Sequence, residues 1–290
     1  MSPTWKTTAT PPEWRIGLGG WARILLRAGA IISVILLGLV LLGLLVAGER
    51  LLRRKNRPIS AWVTVFVCRT ALRLLGLSIA RQGRPMRGAG AMVANHASWL
   101  DIFVLNSGTA LTFVSKAEVA GWPGIGLLAR VTGTLFISRT RSRAAEQTAA
   151  LNARLQAGER LLFFPEGTST DGQRILPFKA PLFEAFFDPA LPEDLKVQPV
   201  SVRYHAPPAR DPRVYGWWGD MGFAPHLLAT LALHPQGKVS VIYHAPISVA
   251  QSTDRKALAN AAETAVRSGF ATTEDASSLG GAHKGQARGL

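Results

Sequence analysis

Ala91-Met92-Val93-Ala94-Asn95-His96-Ala97-Ser98-Trp99-Leu100-Asp101 is the stretch on which the reading of this chain turns. Its four leading apolar residues read as a buried strand. Ser98-x-x-Asp101 then reads as a capping box opening a helix over residues 98–105. A strand that ends in a polar turn and passes into a helix is the unit of an α/β fold, where chemistry gathers at the ends of strands. The same stretch sets a histidine and a carboxylate five residues apart at that strand end. An imidazole takes and returns protons near neutral pH, and a buried carboxylate beside it fixes its tautomer and stabilises the imidazolium. His96 and Asp101 are therefore a candidate acid–base pair. The plainer alternative is a helix cap with an incidental loop histidine. The two are compatible, because the free N–H groups of a helix start suit an anion or oxyanion.

Outward from this stretch, apolar, β-rich runs fall at residues 111–115, 134–138, 160–164, 197–204 and 238–243. Helical stretches alternate with them at residues 141–157, 180–187 and 252–267. The alternation predicts a mostly parallel sheet covered by helices on both faces, over residues 85–268. Residues 82–90 read as its linker and residues 269–290, rich in Gly, Ser and Ala, as a disordered tail.

The chain has 290 residues and a net charge of +15, unevenly spread. Residues 1–90 carry fourteen Lys and Arg against Glu13 and Glu49, whereas the remaining 200 residues net only +3. Such a balance in the main domain argues against a nucleic-acid partner. The basic segment instead surrounds an apolar one, as expected at an anionic membrane surface. Residues 28–47 hold twenty residues without a charge, matching the roughly 20 needed to cross hydrocarbon. A cleaved signal peptide has a shorter apolar core and no basic cluster behind it. Here Arg50, Arg53, Arg54, Lys55 and Arg57 follow at once, like a stop-transfer flank on the cytoplasmic side.

The expected order is thus a mobile N-terminus over residues 1–23, then a membrane anchor over 24–80. The anchor comprises a membrane helix at 28–47, spanning or dipping in and returning, and an interfacial helix at 61–80 with Arg69 and Arg73 at headgroup level. The expected location is the cytoplasmic (inner) membrane, with the main domain on its cytoplasmic side. Cys68 is the single cysteine, so there is no disulfide framework and no cysteine metal cluster.

Further blocks carry chemistry. Lys116-x-Glu118, Pro123 and Gly126 lead to Gly133-Thr134-Leu135-Phe136-Ile137-Ser138-Arg139. Arg139 ends a strand-like run, so its guanidinium fork is expected on the rim that bears His96, where it suits a phosphate or carboxylate. With Arg141 and Arg143 beside it, a plain surface arginine is the alternative. Phe163-Phe164-Pro165-Glu166-Gly167-Thr168-Ser169 runs from a strand into a tight turn. That turn can cradle a polar headgroup through Glu166, Gly167, Thr168 and Ser169, or be turn chemistry alone. Lys179 adds a cation near it, and Val197-Gln198-Pro199-Val200 reads as another strand-end element. His205, His226, His234, His244 and His283 have no acidic partner at an informative spacing and read as structural or surface residues. No Gly-x-Ser-x-Gly elbow presents a serine nucleophile, so no covalent acyl-enzyme is expected.

In this order the four blocks resemble the glycerolipid acyltransferase family that acylates lysophosphatidic acid. That family shows Asn-His-x-Ser-x-x-Asp, a Gly…Ile-x-Arg block, Phe-Pro-Glu-Gly-Thr and a Pro-containing strand; the resemblance covers residues 85–205. It implies that His96 is the general base on an acceptor hydroxyl and that Asp101 orients it. It also implies that Arg139 and the Glu166-Gly167-Thr168 turn, with Ser169 and Lys179 nearby, hold the acceptor headgroup. No metal or bound cofactor is implied, and the acyl group arrives as a thioester on acyl carrier protein or coenzyme A. Members that use lysophosphatidic acid commonly read Phe-Pro-Glu-Gly-Thr-Arg-Ser, whereas Thr168 is followed here by Ser169-Thr170-Asp171. That form, with Trp217-Trp218-Gly219-Asp220-Met221 downstream, looks like the bacterial branch that acylates lyso-ornithine lipid. The chemical rival is an acyl-thioester hydrolase, and the rival of another class is a membrane-tethered lipid-binding module without activity.

Overall fold

A computed structural model describes residue 5 and residues 10–52, 59–122, 125–137 and 144–282. Its helices are α1 (Leu18–Leu51), α2 (Ser60–Leu75), α3 (Leu100–Asn106), α4 (Ile125–Val131), α5 (Ala144–Gln156), α6 (Phe223–Ala232) and α7 (Arg255–Ala282). Its strands are β1 (Ser78–Gln82), β2 (Gly90–Ala94), β3 (Thr112–Lys116), β4 (Leu135–Ile137), β5 (Arg160–Phe163), β6 (Lys196–His205), β7 (Lys238–Tyr243) and β8 (Ile247–Ser248).

The strands form one sheet in the order β1-β7-β6-β2-β5-β3-β4, with β8 beside β6. Pairing is parallel except where β6 meets β7 and β8. β2 lies at the centre between β5 and β6, and all five of its residues are buried. The period of two then sorts its side chains. Met92 and Ala94 pack with Leu162, Val200 and Val202 against Leu72 and Leu75 of α2, Leu100 and Val104 of α3 and Leu231 of α6. Ala91 and Val93 pack with Leu161, Phe163 and Val197 against Leu155 of α5, Phe183 and Phe186, and Leu258, Ala262 and Val266 of α7. The mostly parallel, helix-covered sheet expected from the alternation of runs is the fold observed.

Some boundaries differ. The helix expected at 61–80 stops at Leu75, because Gly76 turns left-handed (φ 87°) and caps it. Ser78–Gln82 is an edge strand parallel to β7, not the end of that helix. α1 begins at Leu18, inside the segment expected to be mobile, and α7 runs on to Ala282 through residues expected to form a disordered tail. Residues 180–187 form a 3-10 helix. The short α4 and α6 carry no sequence signal strong enough to have been expected.

α1 is 34 residues long, and only 11% of its most apolar stretch is buried within the protein. It pairs antiparallel with α2: the Glu49 carboxylate accepts the backbone N–H groups of Ile59 (2.8 Å) and Ser60 (3.0 Å) and the Ser60 hydroxyl (2.6 Å). At the other end Arg23 donates to the Ala232 carbonyl (2.9 Å), and Arg27 to those of Leu231 (2.6 Å) and Leu233 (2.8 Å), so α1 caps α6. Both domain-facing ends of this hairpin lie at one rim of the sheet. Ser78, three residues after α2, pairs with Lys238, which pairs with His205 at the carboxyl end of β6. β6 is parallel to β2, with Ala94 level with Val200. The hairpin therefore leaves the domain at the carboxyl rim of β2, where His96 follows two residues after the strand.

Candidate active site

The register of the central strands decides which loops meet. Val93 is level with Phe163 of β5, so three residues further His96 stands opposite Glu166. Asn95 holds β6 by both ends of its amide, donating to the Val202 carbonyl (2.8 Å) and accepting the Val202 N–H (2.8 Å). The chain is thereby fixed at the residue before His96.

His96 Nδ1 lies 2.7 Å from Oδ2 of Asp101, in the first turn of α3. The same oxygen accepts the N–H groups of Ala97 (2.8 Å) and Ser98 (3.0 Å). The other, Oδ1, accepts the Tyr204 hydroxyl (2.7 Å). A carboxylate surrounded by donors is an acceptor only, so Nδ1 presents its N–H and Nε2 is the basic nitrogen. The Asp101 side chain is fully buried, whereas that of His96 is 19% exposed. The imidazole also stacks on Phe164, with ring centroids 4.0 Å apart and planes 12° from parallel. Such an imidazole can take a proton at Nε2 while its position stays fixed. Asp101 thus serves the start of the helix and the histidine together.

Backbone contacts hold the His96 loop from two sides. The His96 carbonyl accepts the Thr170 N–H (3.0 Å), and the Ala97 carbonyl accepts the Trp217 N–H (2.9 Å). The second contact needs a close approach, for a Cβ at Gly216 would fall 2.6 Å from the Asp171 carbonyl oxygen. Trp99 is fixed by donating its indole N–H to Nδ1 of His226 (2.9 Å). Burial pushes the His226 imidazole down to about 4, keeping it neutral and able to accept that bond. A row of rings follows: Trp99 on Phe223 (5.5 Å), Phe223 on Trp217 (6.2 Å) and Trp217 on Trp122 (5.8 Å).

Glu166 is turned inward, with both of its carboxylate oxygens on backbone N–H groups. It is 1% exposed, and its two oxygens accept the N–H groups of His96 (2.7 Å) and Leu176 (2.7 Å). Burial pushes its carboxyl up to about 8, against the pull of those two donors. The geometry makes Glu166 a brace for the His96 backbone. Gly167 makes the turn possible with φ 70°, a left-handed conformation that favours glycine. Glu166, Thr168 and Lys179 come together with Trp5, Leu176, Pro177 and Phe178 at an adjoining cleft of about 380 Å³. Ser169 is 9% exposed and does not line that cleft. Arg139 lies outside the described residues. Ser98 is fully buried with its hydroxyl on the Leu100 N–H (3.4 Å), which removes it as a nucleophile. Tyr204 is the partner that sequence reasoning missed: it lies 103 residues from Asp101, and only its phase with Val200 and Val202 on β6 points toward this face.

Residues 79–203 match the acyltransferase family. The chain is 49% identical to a lyso-ornithine lipid O-acyltransferase of Rhodobacter capsulatus over 268 residues, 92% of this chain and 97% of that one. It is 31% identical to a 1-acyl-sn-glycerol-3-phosphate acyltransferase of Neisseria gonorrhoeae over 202 residues, 69% of this chain and 77% of that one. In fold it resembles the crystal structure of a 1-acyl-sn-glycerophosphate acyltransferase from Thermotoga maritima, at TM-score 0.58 and 20% identity over 88% of this chain and 98% of that one. With 49% identity to one relative over nearly its full length and a family match that contains the paired His96 and Asp101, the chain belongs to the acyltransferase family.

Proposed function

We propose that this enzyme moves a fatty acyl group from an acyl thioester to the hydroxyl of a lyso-lipid, with lyso-ornithine lipid as the preferred acceptor. The observation that carries the reading is the His96 imidazole, held at Nδ1 by a buried carboxylate and itself 19% exposed. His96 Nε2 removes the hydroxyl proton as the oxygen attacks the thioester carbonyl. The carbon–sulfur bond breaks, and the same proton passes to the departing thiolate, so the imidazole ends as it began. A base so placed contributes about 10²–10⁴-fold. Asp101 holds the tautomer, Tyr204 and two backbone N–H groups hold Asp101, and Glu166 holds the His96 backbone. Thr168, Lys179 and Arg139 are the groups offered to the acceptor headgroup. The donor is an acyl carrier protein or coenzyme A thioester. The similarity to the Rhodobacter capsulatus enzyme favours the ornithine headgroup, as does Ser169 where phosphate-using members carry arginine.

The hairpin of α1 and α2 is the membrane anchor in this reading. It enters and leaves at the same rim, so it does not pass the chain across the bilayer once. The sequence joining the two helices is strongly basic, and keeping it in anionic headgroups on the domain's own side is favoured over sending it across. That side is the cytoplasmic face of the inner membrane.

Thiol release by full-length protein in vesicles, measured with lyso-lipids bearing ornithine, phosphate or neutral headgroups, tests the proposal. Release that depends on the lyso-lipid and is fastest with ornithine is expected, and His96→Ala abolishes it while the protein stays folded and vesicle-bound. Release without any lyso-lipid establishes the hydrolase instead, and lipid binding without thioester consumption establishes the binding module.

A further inference from the structure

Most large apolar side chains left in the open belong to α1, α2 and the residues that cap them. Elsewhere, among residues whose side chains are described, there are four: Ile102 (39% exposed), Trp122 (37%), Leu127 (56%) and Val131 (38%). All four lie toward the rim that bears His96. β3 is parallel to β5, which is parallel to β2, so the turn and α4 that follow β3 leave from the carboxyl edge. Ile102 sits in the first turns of α3, which starts at that edge.

α4 is only seven residues long, too short to be stable by itself. It is tied to the preceding turn by Gly126 N–H on the Trp122 carbonyl (2.9 Å) and by Arg130 on the Ala120 carbonyl (2.8 Å). Even so it turns Leu127 and Val131, four residues apart and thus on one face, toward solvent. Exposed Arg130 lies beside them. Trp, Leu and Val alongside an arginine are what the boundary between headgroups and acyl chains selects. The ring row from Trp122 through Trp217 and Phe223 to Trp99 joins this element to α6, which Arg23 and Arg27 of α1 clamp. The row passes the His96 loop at the Trp217–Ala97 hydrogen bond.

We infer that Trp122 and α4 are a second membrane contact, dipping Trp122, Leu127 and Val131 into an anionic lipid surface. The inference rests on the hairpin being the first contact. His96 then opens between two lipid-held elements, and a lyso-lipid reaches Nε2 without leaving the bilayer surface. A lipid surface is the favoured occupant because the exposed face shares its rim with the hairpin, so a membrane that the hairpin reaches lies against it.

The test uses the full chain in vesicles on a Cys68→Ala background, with a polarity-sensitive fluorophore at Leu127→Cys or, as reference, at Leu37→Cys of α1. Lipids brominated along the acyl chain are expected to quench both probes. In a second arm, Leu127→Glu lowers the rate on vesicle-embedded acceptor about tenfold and leaves the rate on detergent-dispersed acceptor unchanged. Quenching at 37 but a water-exposed probe at 127 overturns the inference and spares the hairpin. Shielding at 127 from both lipid and aqueous quenchers overturns it in favour of a covering protein or a second copy. Absence of lipid quenching at both positions removes the membrane reading itself.

Discussion

Tyr204 closes the back of the His96–Asp101 pair, and its hydroxyl is the single side-chain donor on Asp101 besides the imidazole among the described residues. Burial raises its own ionisation well above the ordinary value, with the Asp101 charge adding to the effect, so it remains a donor. Tyr204→Phe keeps the packing on Tyr215 and removes only that bond. A carboxylate that has lost a donor is held less firmly, and so is the imidazole that it orients. The expected result is a kcat/KM about tenfold lower, since hydrogen bonds to charged groups are worth about 1.5–3 kcal/mol. The unfolding temperature should stay near that of the parent. An unchanged kcat/KM would leave Tyr204 as packing alone. Glu166 gives a prediction of opposite character. Its carboxyl, ordinarily near 4.5, sits at about 8 in the fold because of burial. The folded protein keeps a proton that the unfolded chain releases, so this contribution to stability is complete below the ordinary value and lost as pH rises to about 8. Thermal unfolding followed across that window should show the decline, and Glu166→Gln, which cannot titrate, should lack it. Neither role was legible in the sequence. Phe-Pro-Glu-Gly-Thr marks the turn but not which way its carboxylate points, and that direction depends in part on the His96 N–H, 70 residues away.

At the scale of the element, the hairpin hinges on Glu49. Its carboxylate receives three donors from Ile59 and Ser60 and satisfies N–H groups at the start of α2 that have no partner within the helix. Glu49→Ala leaves those groups without that partner, at a cost of about 1–3 kcal/mol. A lower unfolding temperature in detergent is expected, with kcat on detergent-dispersed acceptor retained by the folded fraction. Elements of this sheet were readable in proportion to their burial. β2, β5, β6 and β7 are apolar runs, and their expected limits agree with the structure to within a residue or two. β1 was hidden because Ser78-Ile79-Ala80-Arg81-Gln82 is a half-exposed edge with no clean alternation, directly after a helical run that conceals its start. α4 was hidden because seven residues make only about two turns, too few to establish a pattern, and α6 because Pro225 and the Gly-rich approach read as loop. The His96–Asp101 pair was legible because both members lie on one strand–turn–helix unit. Tyr204 was not, because only the pairing of β6 with β2 brings it close.

The whole molecule has one sheet rim on which everything functional converges: the His96 loop, the Glu166 turn, the ring row and both domain-facing ends of the hairpin. Sequence composition places the basic charge in the first 90 residues and a nearly balanced domain behind them. It could not show that the long apolar helix folds back on its neighbour, since that depends on contacts such as Gly38 against Val67. The hairpin reading therefore adds an expectation about sidedness. Reporter tags at the N-terminus and at the C-terminus should be protected or digested together in sealed, oriented vesicles, and digestion of only one of them would restore a single crossing. The proposed anchoring, on the edge that bears the chemistry, has a physiological corollary. Each turnover would take its lyso-lipid from, and return its diacyl product to, the same leaflet. That monolayer would gain area while its counterpart did not, so under this proposal even growth of the envelope falls to a separate activity that moves finished lipid from one leaflet to the other.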